Sequence, residues 1–483
     1  MIKPIVRIAP SPTGKLHIGT ARTALFNYLF ARKNEGKYLI RIEDTDAKRS
    51  KAEFERDILE NLKWLGLQGD EQPERQTHRL AIYKKYAQQL LEEKKAYLCF
   101  CSPEELEDER RKQIARKQPP RYSGKCCHLK QKDTERLQKE GRKPALRLKI
   151  PKERGTINFI DLIRGEIKEK SYLIGDFVIM KSDGIPVFFF AGVVDDHEQS
   201  ITHVIRGEDH ISNTFSQIMI YEALGWEKEL PKFAHLPMIL NTDRSKMSKR
   251  KGDFVSVAEY KQKGYLPQAM INFMALLGWH PRKSGKNGEE IYGLEELASL
   301  FELSEVGKSP AIFDKAKLDY INGFYLRKLS DEKLKSLIVP SHLGEDWQKS
   351  DVKIDKVISL VKDRLKTLAD FAELADYFFE TPIYDSSLLI FKKSDEKKTK
   401  TGLESALKAL TNEKDWESRD KLQERLSEVV AKEKLNNGDV FWPARAALSG
   451  REASPSPVEL LWALGKNESL NRLSAALRAL NDK

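Results

Sequence analysis

The sequence predicts a parallel α/β sheet interrupted by an insertion and followed by an all-helical region. Three observations carry this. Strand-like and helix-like runs alternate over roughly the first 95 residues. The same alternation resumes near residue 187, after a stretch of different character. From about residue 255 the text turns helical, and residues 330–483 show amphipathic repeats with little strand signal.

Taken in order, Ile5 to Ala9 is a short apolar run that Pro10-Ser11-Pro12-Thr13-Gly14 breaks. A helical pattern starts at Gly19, with Ala21, Leu25 and Leu29 on one face, and Asn34-Glu35-Gly36 gives a C-terminal cap signal. Lys37 to Glu43 alternates as a strand, and helices are expected at residues 50–65 and 78–95. Residues 96–186 hold every cysteine, a Lys/Arg-rich helix near 103–118, Pro119-Pro120 and a strand from Ala145, and they read as the insertion. Beyond them come expected strands at 187–194 and His203–Arg206, a helix to Leu224, and a strand from Phe233 to Leu240. Lys392 to Lys400 is charged, poorly periodic and expected to be a loop.

The 483 residues are enough for about three domains. With 40% hydrophobic and 33% charged residues, and no apolar run of membrane-spanning length, the expectation is a cytoplasmic globular protein with no membrane association. The net charge of +11 suits a polyanionic partner through counterion release, although a basic proteome gives the same excess. Four cysteines, Cys99, Cys101, Cys126 and Cys127, share one short window. A secreted disulfide scaffold would spread more of them along the chain, so the cluster points to a metal site first.

Two motifs carry chemistry. In Arg7-Ile8-Ala9-Pro10-Ser11-Pro12-Thr13-Gly14-Lys15-Leu16-His17-Ile18-Gly19-Thr20 a strand ends, a loop turns and a helix begins. A helix N-terminus offers unpaired N–H groups and a positive dipole end to phosphate. His17 can donate to a phosphate oxygen, and Gly19 lets a flat ring approach. The second motif, Lys246-Met247-Ser248-Lys249-Arg250-Lys251-Gly252, is a cationic loop suited to closing over a triphosphate. Read singly, the first is an ordinary strand–helix connection and the second a solvated basic loop.

Paired, these motifs resemble the signatures of class I aminoacyl-tRNA synthetases. Within that class the text is similar to bacterial-type glutamyl-tRNA synthetases: Arg7 to Arg32, Arg41-Ile42-Glu43-Asp44-Thr45-Asp46, Val193-Val194-Asp195-Asp196-His197, His203 to Asp209, Lys246 to Gly252, and Phe313 to Asn322. The likeness covers essentially the whole chain. It implies a doubly wound, Rossmann-type catalytic domain in two halves (1–95 and 187–255), an inserted acceptor-binding domain (96–186), a stem-contact region (256–329) and a helical anticodon-binding domain (330–483).

By the same resemblance Arg7, Ser11, Glu43, Phe188 and Arg206 line the glutamate pocket. His17, Gly19, Glu208, Lys246 and Lys249 hold ATP with Mg²⁺, with His17 and the two lysines acting catalytically. Thr45 and Asp46 meet the terminal adenosine of tRNA. The residue types agree: arginine binds carboxylate bidentately, and an acid suits an ammonium. Three departures stand out. Thr20 replaces a second histidine of the class signature, Phe188 replaces a common tyrosine and loses its hydroxyl, and Gly192 replaces a polar contact of some members.

The resemblance also implies a structural Zn²⁺ on Cys99, Cys101, Cys126 and His128, with Cys127 extra; the alternative is a set of reduced thiols in a zinc-free branch. Arg364 and Arg445 match anticodon-reading positions, Arg364 being the type found in members that refuse the glutamine anticodon. The expected partners are L-glutamate, ATP and tRNA(Glu), with a monomeric enzyme. Two alternatives remain: a non-discriminating form that also charges tRNA(Gln), and a zinc-containing RNA-binding protein with a decayed site.

Overall fold

The structure is a computed structural model that describes residues 3–245, 247, 256–282, 290–342, 347 and 354–481. Contacts divide the chain into two compact units, residues 1–262 with 267–318, and residues 263–266 with 319–483.

In the first unit, β1 (Ile5–Ile8) and β2 (Lys37–Ile42) pair in parallel, and β3 (Glu74–Arg75) extends them. A second sheet has the order β7 (Gly165–Lys170), β6 (Thr156–Asp161), β10 (Lys232–Leu236), β9 (His203–Gly207). Its β6–β10 and β10–β9 pairs are parallel. The two sheets meet where the Thr202 N–H donates to the Ile5 carbonyl at 2.9 Å. That junction lies at the amino ends of β1 and β9; their carboxyl ends, at Ile8 and Gly207, lie at the opposite edge, the place where open α/β sheets bind ligands. β6 and β7 fall within the stretch that the sequence assigns to the insertion, yet β6 hydrogen-bonds into the sheet of β9 and β10. The remaining strands of that stretch, β4 (Ala96–Cys99), β5 (Ala145–Leu148) and β8 (Phe177–Met180), form a separate antiparallel sheet.

Helix α1 (Ile18–Lys33) is buried almost all round, because it packs on β1 and β9 and is covered by two short helices, Pro267–Ala275 and Leu294–Leu300. α2 (Ala52–Trp64) and α3 (Leu80–Glu92) fall where their periodicity predicts. The expected strand at 187–194 is instead part of helix α4 (Phe188–Glu198). Its apolar run is continuous because the helix is enclosed by α3, β8 and α5 (Ile211–Leu224), so no solvent face imprints a period of 3.6. The expected strand from Phe233 to Leu240 is two strands, β10 and β11 (Ile239–Leu240), with Pro237 between them.

The second unit is helical: 331–342, 354–361, 370–379, 396–411, 419–432, 437–449 and 457–481. The expected loop at 392–400 is half helix. Asp395 caps it by accepting the Lys398 N–H at 2.8 Å, and the charged residues that follow are mostly exposed. No helix among the described residues is long and apolar enough to cross a membrane.

Candidate active site

The loop leaving β1 and the start of α1 form one wall of a cavity of about 390 Å³. His17 is the N-cap of α1, and its Nδ1 accepts the Gly19 N–H at 3.0 Å. A neutral ring that accepts at Nδ1 carries its proton on Nε2. A Cβ at Gly19 would stand 3.2 Å from His17 Nδ1, tighter than ordinary contact, so the glycine suits this cap. Ser256 pairs with His17 through a backbone bridge, which brings the far end of the cationic-loop segment back to the start of α1.

The opposite wall is a buried charge network. Arg7, on β1, donates to both oxygens of Asp196, at 2.9 and 3.2 Å. Arg41 lies fully buried on β2, 2.9 Å from Asp196, 3.5 Å from Asp195 and 3.5 Å from Glu43. Asp195 is held further by Gln76, Arg79 and Tyr83. Burial raises the Asp196 carboxyl, but Arg7 and Arg41 outweigh it and hold the group below its ordinary range. Glu43 differs. Burial pushes it up to about 7 against the pull of Arg41 and Arg7, and its Oε2 is buried with no hydrogen-bond partner. The network therefore leaves one carboxylate oxygen uncommitted beside the cavity.

Arg206 ends β9 and is buried. Its Nε donates to His235 Nε2 at 3.2 Å, and its Nη2 donates to Thr214 Oγ1 and Gln217 Oε1, both at 2.7 Å. No acidic side chain among the described residues pairs with it. Burial, with Arg7 nearby, pushes it down to about 9. An arginine desolvated without a counterion attracts an external carboxylate strongly. Glu208 accepts from Arg164 and, at 2.8 Å, from the Met238 N–H.

Of the residues expected to act on glutamate and ATP, Arg7, Ser11, Glu43, Phe188, Arg206, His17, Gly19 and Glu208 all line this one cavity. Lys246 and Lys249 lie outside the described residues, but Met247 between them is buried and lines the same cavity. Thr45 and Asp46 are not in its lining; they sit on the loop after β2, where Asp46 pairs with Arg49 at 2.7 Å. A Cβ at Gly192 would make only ordinary contact, 3.6 Å from Gln217 Nε2, so the glycine leaves room beside Glu43. Sequence reading missed the lining residues Arg22, His210 and Gln217. Gln217 carried a signal, being polar among the apolar residues of one helix, three positions after Thr214.

Cys99, Cys101 and Cys126 converge, with sulfurs all within 4.8 Å of one another, and His128 is not part of that group. Tetrahedral zinc–thiolate geometry puts sulfurs about 3.8 Å apart, so the cluster is close to that spacing. The Tyr122 hydroxyl lies 3.5 Å from both Cys99 and Cys101 and accepts the Cys126 N–H at 2.9 Å. The sequence reading offered no spacing rule that would have singled out Tyr122. In the second unit Arg364 is exposed at the end of a short turn, and Arg445 stacks over Trp442 at 4.6 Å.

A helix N-terminus, a buried arginine with no acidic partner among the described residues and a carboxylate oxygen with no donor thus meet in one cavity, an arrangement of the kind found in enzymes that bind anionic and zwitterionic substrates. Residues 3–320 match the family described as tRNA synthetases class I (E and Q), catalytic domain, and residues 328–477 match an anticodon binding domain. The chain is 44% identical over 479 residues to Glutamate–tRNA ligase 2 of Thermoanaerobacter pseudethanolicus, covering 98% of this chain and 97% of that protein. It is 43% identical over 484 residues to Glutamate–tRNA ligase of Carboxydothermus hydrogenoformans, covering 97% and 98%. The crystal structure of a glutamate tRNA ligase from Elizabethkingia meningosepticum in complex with its amino acid superposes with a TM-score of 0.85 at 32% identity, covering 99% of this chain and 100% of that one. The chain belongs to the glutamate–tRNA ligase family of class I aminoacyl-tRNA synthetases, with a parallel-sheet catalytic domain and a helical anticodon-binding domain.

Proposed function

We propose that the chain activates L-glutamate with ATP and esterifies it to the terminal ribose of tRNA(Glu). The observation that carries this is the pairing of unmet charges in one cavity: an Arg206 guanidinium with no acid, and a Glu43 oxygen with no donor. Glutamate meets both, its side-chain carboxylate at Arg206 and its ammonium at Glu43. Glutamine offers Arg206 no charge, which leaves a buried cation unpaired and penalises the wrong substrate heavily. Arg7 is committed to Asp196 and acts chiefly by holding that wall in place, with Nη1 still to offer.

The ATP phosphates lie at the start of α1, where N–H groups and the His17 Nε2–H face them. The glutamate α-carboxylate attacks the α-phosphorus, releasing pyrophosphate and leaving glutamyl-adenylate. The terminal 2′-hydroxyl of tRNA then attacks the adenylate carbonyl and AMP leaves. No covalent bond to the protein is required, so the protein contributes positioning and charge neutralisation. Lys246 and Lys249 neutralise phosphate charge, and Mg²⁺ accompanies the phosphates. Thr45 and Asp46 meet the tRNA terminus, and Arg364 and Arg445 read anticodon bases, Arg364 against the glutamine anticodon.

Cys99, Cys101 and Cys126 would hold a structural Zn²⁺, which would brace the insertion, and the Tyr122 hydroxyl stands beside two of their sulfurs. The test of the nucleotide site is glutamate-dependent pyrophosphate exchange in the presence of tRNA. His17→Ala and Lys249→Ala each lower it at least about tenfold. Exchange at the wild-type rate contradicts the phosphate roles.

A further inference from the structure

We infer that His235, anchored by Asp161, is a positioning residue that fixes the Arg206 guanidinium and keeps it without a counterion, and so sets selection of a side-chain carboxylate over an amide. This rests on the reading of Arg206 given above.

The donors of Arg206 are nearly all spoken for. Its single Nε–H goes to His235 Nε2 at 3.2 Å, and Nη2 goes to Thr214 and Gln217 at 2.7 Å. One whole edge of the fork is thereby filled, and Nη1 is left for a ligand. A guanidinium held along one edge cannot swing about its Cδ–Nε bond, so the remaining donor pair has one direction.

The imidazole accepts at Nε2, so it is neutral and carries its proton at Nδ1. Nδ1 faces Asp161 Oδ2 at 2.7 Å, and the same oxygen takes the His235 N–H at 3.0 Å. Asp161 Oδ1 takes the N–H groups of Ile163 and Arg164 at 2.9 and 2.8 Å. Both side chains are fully buried. The turn after β6 thus fixes the carboxylate, the carboxylate fixes the tautomer, and the tautomer fixes the arginine. Burial also lowers the imidazole pKa, which keeps it neutral near pH 7.

The charge count matters as much as the geometry. Each acceptor on Arg206 (an imidazole, a hydroxyl, a side-chain amide and, at 3.3 Å, the His210 carbonyl) is neutral. The carboxylate at the far side of the imidazole, Asp161, stands one ring away. Touching Arg206 directly, it would neutralise the guanidinium, and an amide substrate would lose little by comparison. The ring transmits orientation while holding the negative charge back.

The test uses the full chain, with tRNA present, and measures kcat and KM for glutamate and for glutamine in His235→Phe, His235→Gln and Arg206→Lys. Phenylalanine fills the space without an acceptor; glutamine restores one. The expected result for His235→Phe is a glutamate KM raised about tenfold or more with the ATP KM unchanged, and a glutamate-over-glutamine preference lowered by a similar factor. His235→Gln recovers most of both. Independently of any variant, ¹⁵N spectra of the wild-type imidazole show the Nδ1–H tautomer; an Nε2–H tautomer overturns the proposal. A wild-type KM and preference in His235→Phe overturns it while Arg206→Lys remains impaired. A wild-type KM in Arg206→Lys instead removes the reading of Arg206, and this proposal with it.

Discussion

At the scale of single residues, the site is governed by what burial does to charge. Glu43 and Asp196 are both fully enclosed, yet Asp196 sits between two arginines and stays ionised, while burial lifts Glu43 to about 7. The sign of the resulting pH dependence follows directly. An ammonium is held by the carboxylate and not by the carboxylic acid, so binding is complete above pH 7 and lost as pH falls through it. We expect kcat/KM for glutamate to decline with an apparent pKa near 7, by about tenfold per pH unit at lower pH. A flat profile down to pH 6 contradicts the assignment of the ammonium to Glu43.

That Glu43 and Arg206 share one cavity was legible in the sequence because family motifs surround them. Their state was not. Nothing in Ile205-Arg206-Gly207 says that the arginine has no acid partner, and nothing near Arg7 says that Asp196, 189 positions away, claims it. Such facts depend on which strands become neighbours, and a linear pattern carries them only faintly.

At the scale of elements, the sequence read well wherever one face meets solvent and another meets protein. Helix α2, with Ile58 and Leu62 buried on one side, fell where its periodicity put it. It read poorly where an element is enclosed. Helix α4 has buried residues throughout its middle, and its apolar run passes for a strand. The strand β6 gave no sign of its destination, because joining β10 places Asp161 beside His235 only after some 70 residues of intervening chain have folded.

The cysteine window was visible from spacing, but the Tyr122 hydroxyl beside two of its sulfurs was not. Tyr122 reaches the sulfurs because Arg147 packs over its ring at 3.9 Å and the Cys126 N–H fixes its hydroxyl. A Zn²⁺ held by the three thiols at the end of β4 would brace that sheet, and its removal is expected to loosen the sheet locally. Cys99→Ser should lose bound zinc, measured by elemental analysis, and expose the 100–128 segment to protease. Full zinc content in Cys99→Ser contradicts the assigned ligand set.

At the scale of the whole molecule, the chain joins two kinds of architecture for two tasks. A parallel-sheet unit gathers Arg7, Glu43 and Arg206 around one cavity. A helical unit carries Arg364 and Arg445, the residue types that stack on and hydrogen-bond exposed bases. The excess of +11 charges suits a protein whose third substrate is a polyanion. Pattern alone gave the split into sheet-bearing and helical halves, since a change of period over 150 residues is a strong signal. It did not give the path of the chain at the boundary, where residues 263–266 belong with the helical unit.

Arg206, buried and with no directly paired acidic side chain among the described residues, is proposed to select glutamate for transfer to its tRNA. Steady-state aminoacylation of purified tRNA(Glu) and tRNA(Gln), with glutamate and with glutamine as competing substrates, measures it most directly. The expected kcat/KM for glutamate on tRNA(Glu) is about 10⁴-fold above that for glutamine, and the expected glutamylation of tRNA(Gln) is much weaker. A glutamate-to-glutamine ratio within tenfold, or no glutamylation of either tRNA, contradicts it.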